Sequence, residues 1–306
     1  MTTILYNPKS QNGAAEGIVT AWAESHGYAD AEKKSVIDTD IAAFVSSQTE
    51  DDKIILCGGD GTLMRFADAI RDIDLQVPVY FTPAGTGNDF LRDVPNDTDP
   101  VLVNKYIVDL PRVYVNGEEH VFVNGIGYGI GGYCCEVGDA LQAKSDKPVN
   151  YTAIAIKGLL GQFSPCKAEV TVDGVTRTYN RVWEAATMNG RCYGGGLLIA
   201  PNQDRLNPEG TVSCVTIHRF WRIRTLFVFS TIGKGTHLKF KKAIDLREGH
   251  EITVKFDTPC ALQIDGETYL GVTEYTVRSR KRVKELQAAA KAAAQAETKT
   301  EEPATV

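Results

Sequence analysis

No stretch of this chain reaches the ~18 consecutive apolar residues that a membrane-spanning helix needs. The opening residues, "MTTILYNPKS", lack the basic start and apolar middle of a secretory signal and read directly as a strand. These absences place the expected protein in the cytoplasm. There is no Cys-x-x-Cys pair, and the seven cysteines (Cys57, Cys134, Cys135, Cys166, Cys192, Cys214 and Cys260) are odd in number and scattered. A disulfide framework and a zinc or redox site are therefore not expected, and free buried thiols are. Excess positive charge is also missing. The net charge of −6 argues against general nucleic-acid binding, which requires a basic footprint. No internal repeat is present.

What the 306 residues do carry is two kinds of patterning. Through the first hundred residues, short apolar runs alternate with helix-period segments. The strands are "TILYN" (3–7), "SVID" (35–38), "KIILC" (53–57) and "VPVYFT" (77–82). The helices are expected near 13–26, near 40–48 and after Thr62. This rhythm predicts an α/β domain with a parallel sheet covered on both faces. Beyond about residue 105 the runs become rich in Val, Thr, Tyr and Ile. Asn116-Gly117, Asp173-Gly174 and Asp265-Gly266 are tight-hairpin signals. A mainly antiparallel, β-sandwich-like C-terminal domain is expected, with helical insertions near 136–144, 150–162 and 221–232. The expected boundaries are 1–115 for the α/β domain, completed by about 276–286, and 116–275 for the β-rich domain. Residues 287–306 are Ala-rich and low in complexity, and are read as a tail with too little apolar surface to order its last ten or so residues.

The segment "CGGDGTLMRFADAI" (57–70) joins an apolar run to an amphipathic one through three glycines and a carboxylate. Leu63, Phe66 and Ile70 recur at helical spacing, so Gly58, Gly59, Asp60, Gly61 and Thr62 lie between a strand's carboxyl end and a helix N-terminus, where open α/β sheets bind ligands. Glycine permits close backbone approach, and the first helical turn favours an anion. Both point to phosphate. The loop has neither the Lys-Ser/Thr ending of a Walker loop nor the spacing of the dinucleotide fingerprint. Asp60 facing a phosphate would be repelled unless a divalent cation or a ligand hydroxyl intervened. The plainer alternative is a glycine turn with Asp60 as a cap. A second loop, "TPAGTGNDFLRDV" (82–94), again follows an apolar strand with glycines, Thr and Asp. Two such loops at neighbouring strand ends form two walls of one crevice.

Together, "NPKS" (7–10), "GGDGT" (58–62), "PAGTGNDFLR" (83–92), "GGGLLIAP" (194–201) and "IDGE" (264–267) resemble the diacylglycerol kinase catalytic family, which includes soluble bacterial lipid kinases and sphingosine kinases. The similarity runs from residue 3 to about 280. "GGDGT" alone is shared with NAD kinases and loosely with phosphofructokinases, whereas "GTGNDFLR" is more specific to the lipid kinases. The resemblance implies a nucleotide-binding α/β domain of NAD kinase-like fold, a β-sandwich-like second domain, and ATP meeting a lipid in the cleft between them. It assigns Gly58, Gly59, Asp60, Gly61 and Thr62 to the ATP phosphate and Mg²⁺ region. Gly85, Thr86, Gly87, Asn88 and Asp89 fall in the second nucleotide-facing loop, and Asn7 and Ser10 in the first-strand loop. Glu267 matches the family's proposed general base. Glu209, in "NPEG", stands where an Asp-Gly aspartate usually joins a metal-linked acidic network, so its carboxylate sits on a longer arm. Gln11 stands where a glycine is common, leaving Gly13 to supply the flexible turn.

Phosphoryl transfer needs phosphates held in line, their charge neutralised, and a hydroxyl aimed at phosphorus. Glu267, after its hairpin turn, and Asp60 are the expected catalytic residues, with His237 a competing base and Lys9 a candidate phosphate contact that reads equally as a solvated lysine. The expected reaction is transfer of the ATP γ-phosphate to a neutral lipid hydroxyl, with diacylglycerol giving phosphatidic acid for phospholipid biosynthesis. An NAD kinase-like phosphotransferase and a catalytically weak nucleotide-binding regulator are the alternatives. Between Arg219 and Arg247, eight Lys or Arg residues stand against one acid, Asp245, with Phe220, Trp221, Phe227 and Phe229 interleaved. This segment suits transient docking on an anionic membrane, peripheral to the inner face. It equally suits an amphipathic helix with its aromatics in the core. "RSRKRVK" (278–284) has the same two readings, and a homodimer is left open.

Overall fold

The computed structural model describes residues 1–84, 87–145 and 147–300. Its strands form two sheets. The first has the order β2-β1-β3-β4-β5, from β1 (Thr2–Tyr6), β2 (Glu32–Ser35), β3 (Lys53–Gly58), β4 (Val79–Pro83) and β5 (Val101–Leu102). The first four are parallel, and β5 is antiparallel to β4. Alternation along β1 and β3 sends side chains to opposite faces. Leu5, Ile54 and Leu56 meet α2 (Ile41–Ser46) and α3 (Asp60–Ala69) in one buried cluster. Ile4, Tyr6, Ile55 and Cys57 meet α1 (Ala15–Ser25) in another. Strand β2 lies three residues earlier than the "SVID" reading, because the edge strand is the polar "EKKS" and the apolar Val36 buries just after it ends. A short α4 (Asn104–Ile107) leads out of the domain.

The second sheet is antiparallel throughout. Its strands are β6 (Arg112–Val115), β7 (Glu118–Val121), β8 (Gly125–Gly129), β9 (Cys166–Val172), β10 (Val175–Met188), β11 (Val212–His218), β12 (Ile244–Gly249), β13 (Glu251–Ile264) and β14 (Glu267–Arg278). The two long strands β10 and β13 are bridged end to end. Strand β9 fills the gap at Val175–Val182 and β8 fills it at Glu184–Met188. The three Asn-Gly and Asp-Gly pairs make the β6–β7, β9–β10 and β13–β14 turns, both residues of each pair taking positive φ as two-residue primed turns require.

Helices α5 (Ile130–Gln142), α6 (Tyr151–Lys157) with a wide π turn at Gly158–Gln162, and α7 (Arg222–Phe229) cover this sheet around a second core that includes Trp183, Met188, Ile217 and Val228. Helix α5 begins six residues before the expected start. The run "GIGG" that reads as loop is its entry, and a Cβ on Gly132 would stand 2.0 Å from the Ala261 carbonyl oxygen of β13. His237 is enclosed in the same region, bonded through Nε2 to the Ile199 carbonyl at 2.9 Å, so it is a core histidine and not a base at the cleft. Helix α8 (Arg280–Thr300) runs through residues 287–300 of the Ala-rich tail, as its alanines favour. Residues 301–306 lie outside the described residues. Among the described residues no helix is long and apolar enough to cross a membrane, and all seven cysteines are free thiols.

The two sheets share one core, which runs from Leu5, Leu56 and Phe81 through Phe90 and Val113 to Tyr128 and Val277. Helix α3 is held on the second sheet by Asp68, whose carboxylate accepts the Val121 N–H at 3.0 Å, and Asp72 pairs with Arg112 at 2.6 Å. The deeper tie is Asp93, from "FLRD" after the second glycine loop. It is 3% exposed and receives the Arg205 guanidinium, also 3% exposed, at 2.6 and 2.9 Å, as well as Arg191. Arg205 also donates to the Val123 carbonyl and to Asn124, and a Cβ on Gly190 would collide with it. Removing one partner of a buried ion pair leaves the other charge uncompensated. Asp93→Ala should therefore lower unfolding free energy by about 3–5 kcal/mol in denaturant titration. Adding Arg205→Met should recover part of that loss.

Candidate active site

Strands β1, β3 and β4 end side by side, and the loops that leave their carboxyl ends carry the motifs singled out in the sequence. The order β2-β1-β3-β4 reverses between β1 and β3, which puts a crevice there. Asn7, at the end of β1, has its side-chain oxygen accept the Lys9 N–H at 2.9 Å, while its carbonyl accepts the Ser10 hydroxyl at 2.8 Å. Both residues shape the turn at the crevice rim; Lys9 is exposed.

Gly58 ends β3 and Gly59 is the N-cap of α3 without any side-chain cap, so the helix starts at Asp60, three residues before the expected start at Leu63, with its first turn at the crevice. Glycine at 58 has a packing reason, since a Cβ there would lie 2.3 Å from the Thr62 hydroxyl. A Cβ on Gly61 would meet nothing within 4 Å, so that position faces open space. Asp60 does not cap its own helix. Its two carboxylate oxygens accept the N–H groups of Asp89 (2.7 Å) and Phe90 (3.0 Å) from the second loop, and its own N–H donates to the Gly87 carbonyl at 3.0 Å. The two glycine loops are thus one hydrogen-bonded unit. Gly85 and Thr86 lie outside the described residues. Asn88 and Asp89 open the turn that Asp60 holds.

Asp89 carries the chain of contacts onward. Its Oδ2 accepts the Gly195 N–H at 2.8 Å, from three successive glycines, Gly194, Gly195 and Gly196, all at positive φ. Positive φ at all three favours glycine, the only residue without a Cβ penalty there. The other Asp89 oxygen, Oδ1, is buried without a partner among the described residues. Burial, helped by the nearby Asp60 charge and opposed by the glycine N–H groups, raises the Asp89 carboxyl above the usual range.

On the opposite wall, the turn "IDGE" brings two acids. Asp265, read from sequence only as a turn residue, is partly buried and accepts three backbone N–H groups, from Val123, Asn124 and Gly125. Burial outweighs those bonds and, with the Asp60 charge, pushes its carboxyl up to about 6. Glu267 is half exposed and stands 3.8 Å from Arg65 of α3. Glu267 is thus tied to the helix that Asp60 opens. Glu209 is held elsewhere: its carboxylate is 77% exposed and pairs with Lys281 of α8 at 3.6 Å. Among the described residues no group of three or more Asp, Glu, His or Cys is arranged to hold a metal by itself. A magnesium ion would need only one or two protein carboxylates, the rest of its shell coming from phosphates and water. Asp60, beside the orphaned oxygen of Asp89, is where the donors fit.

Three residues that order the walls of the crevice were not singled out as site residues in the sequence: Asp93, Arg205 and Asp265. Their partners lie 112 residues away for Asp93 with Arg205, and 140 or more for Asp265 with Gly125 to Val123. Only the Asp-Gly hairpin signal marked one of them.

Comparison with known proteins agrees with this geometry. Residues 1–110 match the family model for the diacylglycerol kinase catalytic domain, and residues 125–286 match that for the YegS C-terminal NAD kinase beta sandwich-like domain. The diacylglycerol kinase of Mycobacterium tuberculosis is 26% identical over 261 residues, covering 80% of this chain and 82% of that protein. The diacylglycerol kinase of Bacillus subtilis is 24% identical over 241 residues, covering 75% and 76%. A crystal structure of a diacylglycerol kinase from Bacillus anthracis shares the fold with a TM-score of 0.58 at 17% identity, over 91% of this chain and 94% of that one.

The raised Asp265 carboxyl has a thermodynamic consequence. Its folded value lies above its unfolded value, so the unfolded chain gives up the proton first and wild-type stability falls as pH rises from about 4 to 6, then levels. Asp265→Asn removes that dependence. The stability of wild type relative to the variant, from urea titrations, should drop by about 2–3 kcal/mol across that window and stay constant above it.

Proposed function

The chain belongs to the diacylglycerol kinase family of lipid kinases, and from that premise we propose that it transfers the γ-phosphate of ATP to the free hydroxyl of diacylglycerol, yielding phosphatidic acid for phospholipid biosynthesis. The observation that carries this reading is the Asp60 carboxylate bonded to the Asp89 and Phe90 N–H groups. It makes two glycine loops at adjacent strand ends a single preformed cradle. In this proposal Gly58 to Thr62 and the loop through Gly87, Asn88 and Asp89 would hold the phosphates of ATP, with Asn7 and Ser10 at the rim. Mg²⁺, when bound, neutralises phosphate charge beside Asp60. Glu209 would have to leave its pair with Lys281 to join that shell.

Glu267 is the proposed base. It sits on a rigid two-residue turn and is half exposed, so an acceptor hydroxyl can reach it. Arg65 of α3 pairs with it at 3.8 Å. Asp265, one turn position away, fixes the hairpin through three backbone N–H bonds and so holds Glu267 in place. The same reading puts the enzyme in the cytoplasm, working at the inner face of the membrane that contains its acceptor.

Labelled phosphate from ATP, offered with diacylglycerol in mixed micelles, with NAD, or with no acceptor, tests the proposal. Label in the lipid phase is expected. Label in the nucleotide pool would point to an NAD kinase-like reaction, and no transfer at all to a nucleotide-binding regulator. Glu267→Gln and Asp60→Ala should each lower turnover at least about 10²-fold, Glu267→Gln with an unfolding curve close to wild type and Asp60→Ala with some loss of stability, since it also removes the acceptor of the Asp89 and Phe90 N–H groups. Near-normal rates in both would refute the site assignment.

A further inference from the structure

The basic, aromatic segment after β11 is not absorbed by the catalytic reading, and the structure divides its side chains sharply. On α7 the core face is Thr225 and Val228, both fully buried. The opposite face presents Ile223 (82% exposed) and Phe227 (61%), four residues apart on one side of the helix, and the N-cap residue Trp221 is 74% exposed beside them. Leu160, on the π turn packed against α7, is also exposed. A helix that leaves large apolar side chains in water on the side away from its core has an apolar surface with no partner in the fold.

Cations surround these tips. Arg224, Lys239, Lys241 and Lys242 are exposed, and the one acid of the segment, Asp245, is occupied by Arg177 and the Tyr179 hydroxyl. In a protein of net charge −6 this end is locally positive. Beside it lies a groove of about 320 Å³ lined by Arg181, His218, Arg219 and Trp221, among others. An adjoining groove of about 450 Å³ shares Arg181 and adds Lys167, with Asp257 at its edge. Arg181 and Arg219 both have left-handed backbone, at φ 55° and 72°, where β10 bulges and β11 ends, and the Arg219 N–H donates to the Arg181 carbonyl at 3.1 Å. Non-glycine residues held in that region concentrate at ligand clamps. The Arg181 guanidinium lies 4.0 Å over the Trp221 ring, so pocket and exposed ring are one feature. Histidine 218, whose protonation is disfavoured by burial and by Arg219, leaves the two arginines as the charges of the groove.

We propose that this end of the second domain docks on an anionic phospholipid bilayer, Ile223 and Phe227 entering the acyl boundary while Arg181 and Arg219 hold a headgroup phosphate beside Trp221. Paired apolar tips flanked by arginine and lysine are the chemistry of interfacial helices. Arg181 lies midway along β10, which leads on to Asn189 at the domain junction, eight residues and roughly 25 Å away by strand rise, so docking leaves the glycine loops in water. The surface is independent of whether diacylglycerol is the acceptor.

The test uses the full chain in sedimentation with vesicles of phosphatidylcholine alone and of phosphatidylcholine with equimolar phosphatidylglycerol. Wild type should bind the anionic vesicles at least about 10-fold more tightly. Arg181→Asn with Arg219→Asn keeps a residue type that tolerates left-handed backbone and should abolish that preference. Ile223→Asp with Phe227→Asp should weaken binding to both vesicles about 10-fold or more. Brominated acyl chains should quench wild-type fluorescence and lose most of that effect in Trp221→Phe. All variants should phosphorylate a water-soluble short-chain diacylglycerol at the wild-type rate, which separates failure of docking from failure of the kinase reading. Equal binding of wild type and variants to anionic vesicles would overturn the proposal. So would a dimer that dissociates in the Ile223/Phe227 variant while wild type ignores vesicles, or arginine-dependent binding of single-stranded nucleic acid in place of lipid.

Discussion

A carboxylate can bind a ligand cation, or it can accept backbone N–H groups and hold a loop still. In this protein the acids around the cleft do the second to one another's loops. Asp60 of the first glycine loop accepts from Asp89 and Phe90, Asp89 accepts from Gly195, and Asp265 accepts from Val123 to Gly125. The result is a relay of charged hydrogen bonds from β3 through the loop after β4 to the second domain, with Asp93 and Arg205 locking the far end. Hydrogen bonds to ionised acceptors are stronger and shorter than neutral ones, so loops built largely of glycine are held in one shape without side-chain packing.

That arrangement stores electrostatic tension. Asp60 raises the carboxyls of both Asp89 and Asp265, and each of those is already penalised by burial. Three acids in one crevice cannot all ionise comfortably in low dielectric. A bound cation relieves such repulsion, and a triphosphate alone would aggravate it. The unpartnered Oδ1 of Asp89 is the place where the protein's own hydrogen bonding stops short.

Much of the fold could be read from local pattern because the features that specify it are local. The βαβ rhythm located β1, β3 and β4, and three Asn-Gly or Asp-Gly pairs located three hairpins to the residue. Misreadings fell where local preference and tertiary need diverge. Strand β2 is a polar edge whose identity comes from pairing with β1, not from its own hydrophobicity. The glycines at the start of α5 look like loop in sequence, yet Gly132 is there because the helix lies against the backbone of β13. At the site, the glycine motifs gave the loops and their neighbours gave Asp60 and Glu267. The cross-loop partners of Asp60, and the whole Asp93–Arg205 tie, depend on contacts between segments distant in sequence and carry no periodicity.

Charge shows the same limit from another side. The sequence offers two basic runs of similar appearance, and only their partners distinguish them. In the run at 278–284, Arg278 stacks on Tyr114 and pairs with Glu251, Arg280 donates to the Asn207 carbonyl, Lys281 meets Glu209, Arg282 meets Glu251, and Lys284 meets Asp109. Those cations fasten α8 to both domains. In the run from Arg219, Arg222 is spent on the Leu159 and Phe163 carbonyls, tying the π turn to α7, while its exposed neighbours stand beside apolar tips turned to water. A cation already satisfied by an acid or a carbonyl adds rigidity, and one beside an uncovered apolar surface adds attraction for something outside the fold. Net charge hides that difference, because the acids that make this chain negative lie mostly where the first kind of cation, or a backbone N–H, already meets them.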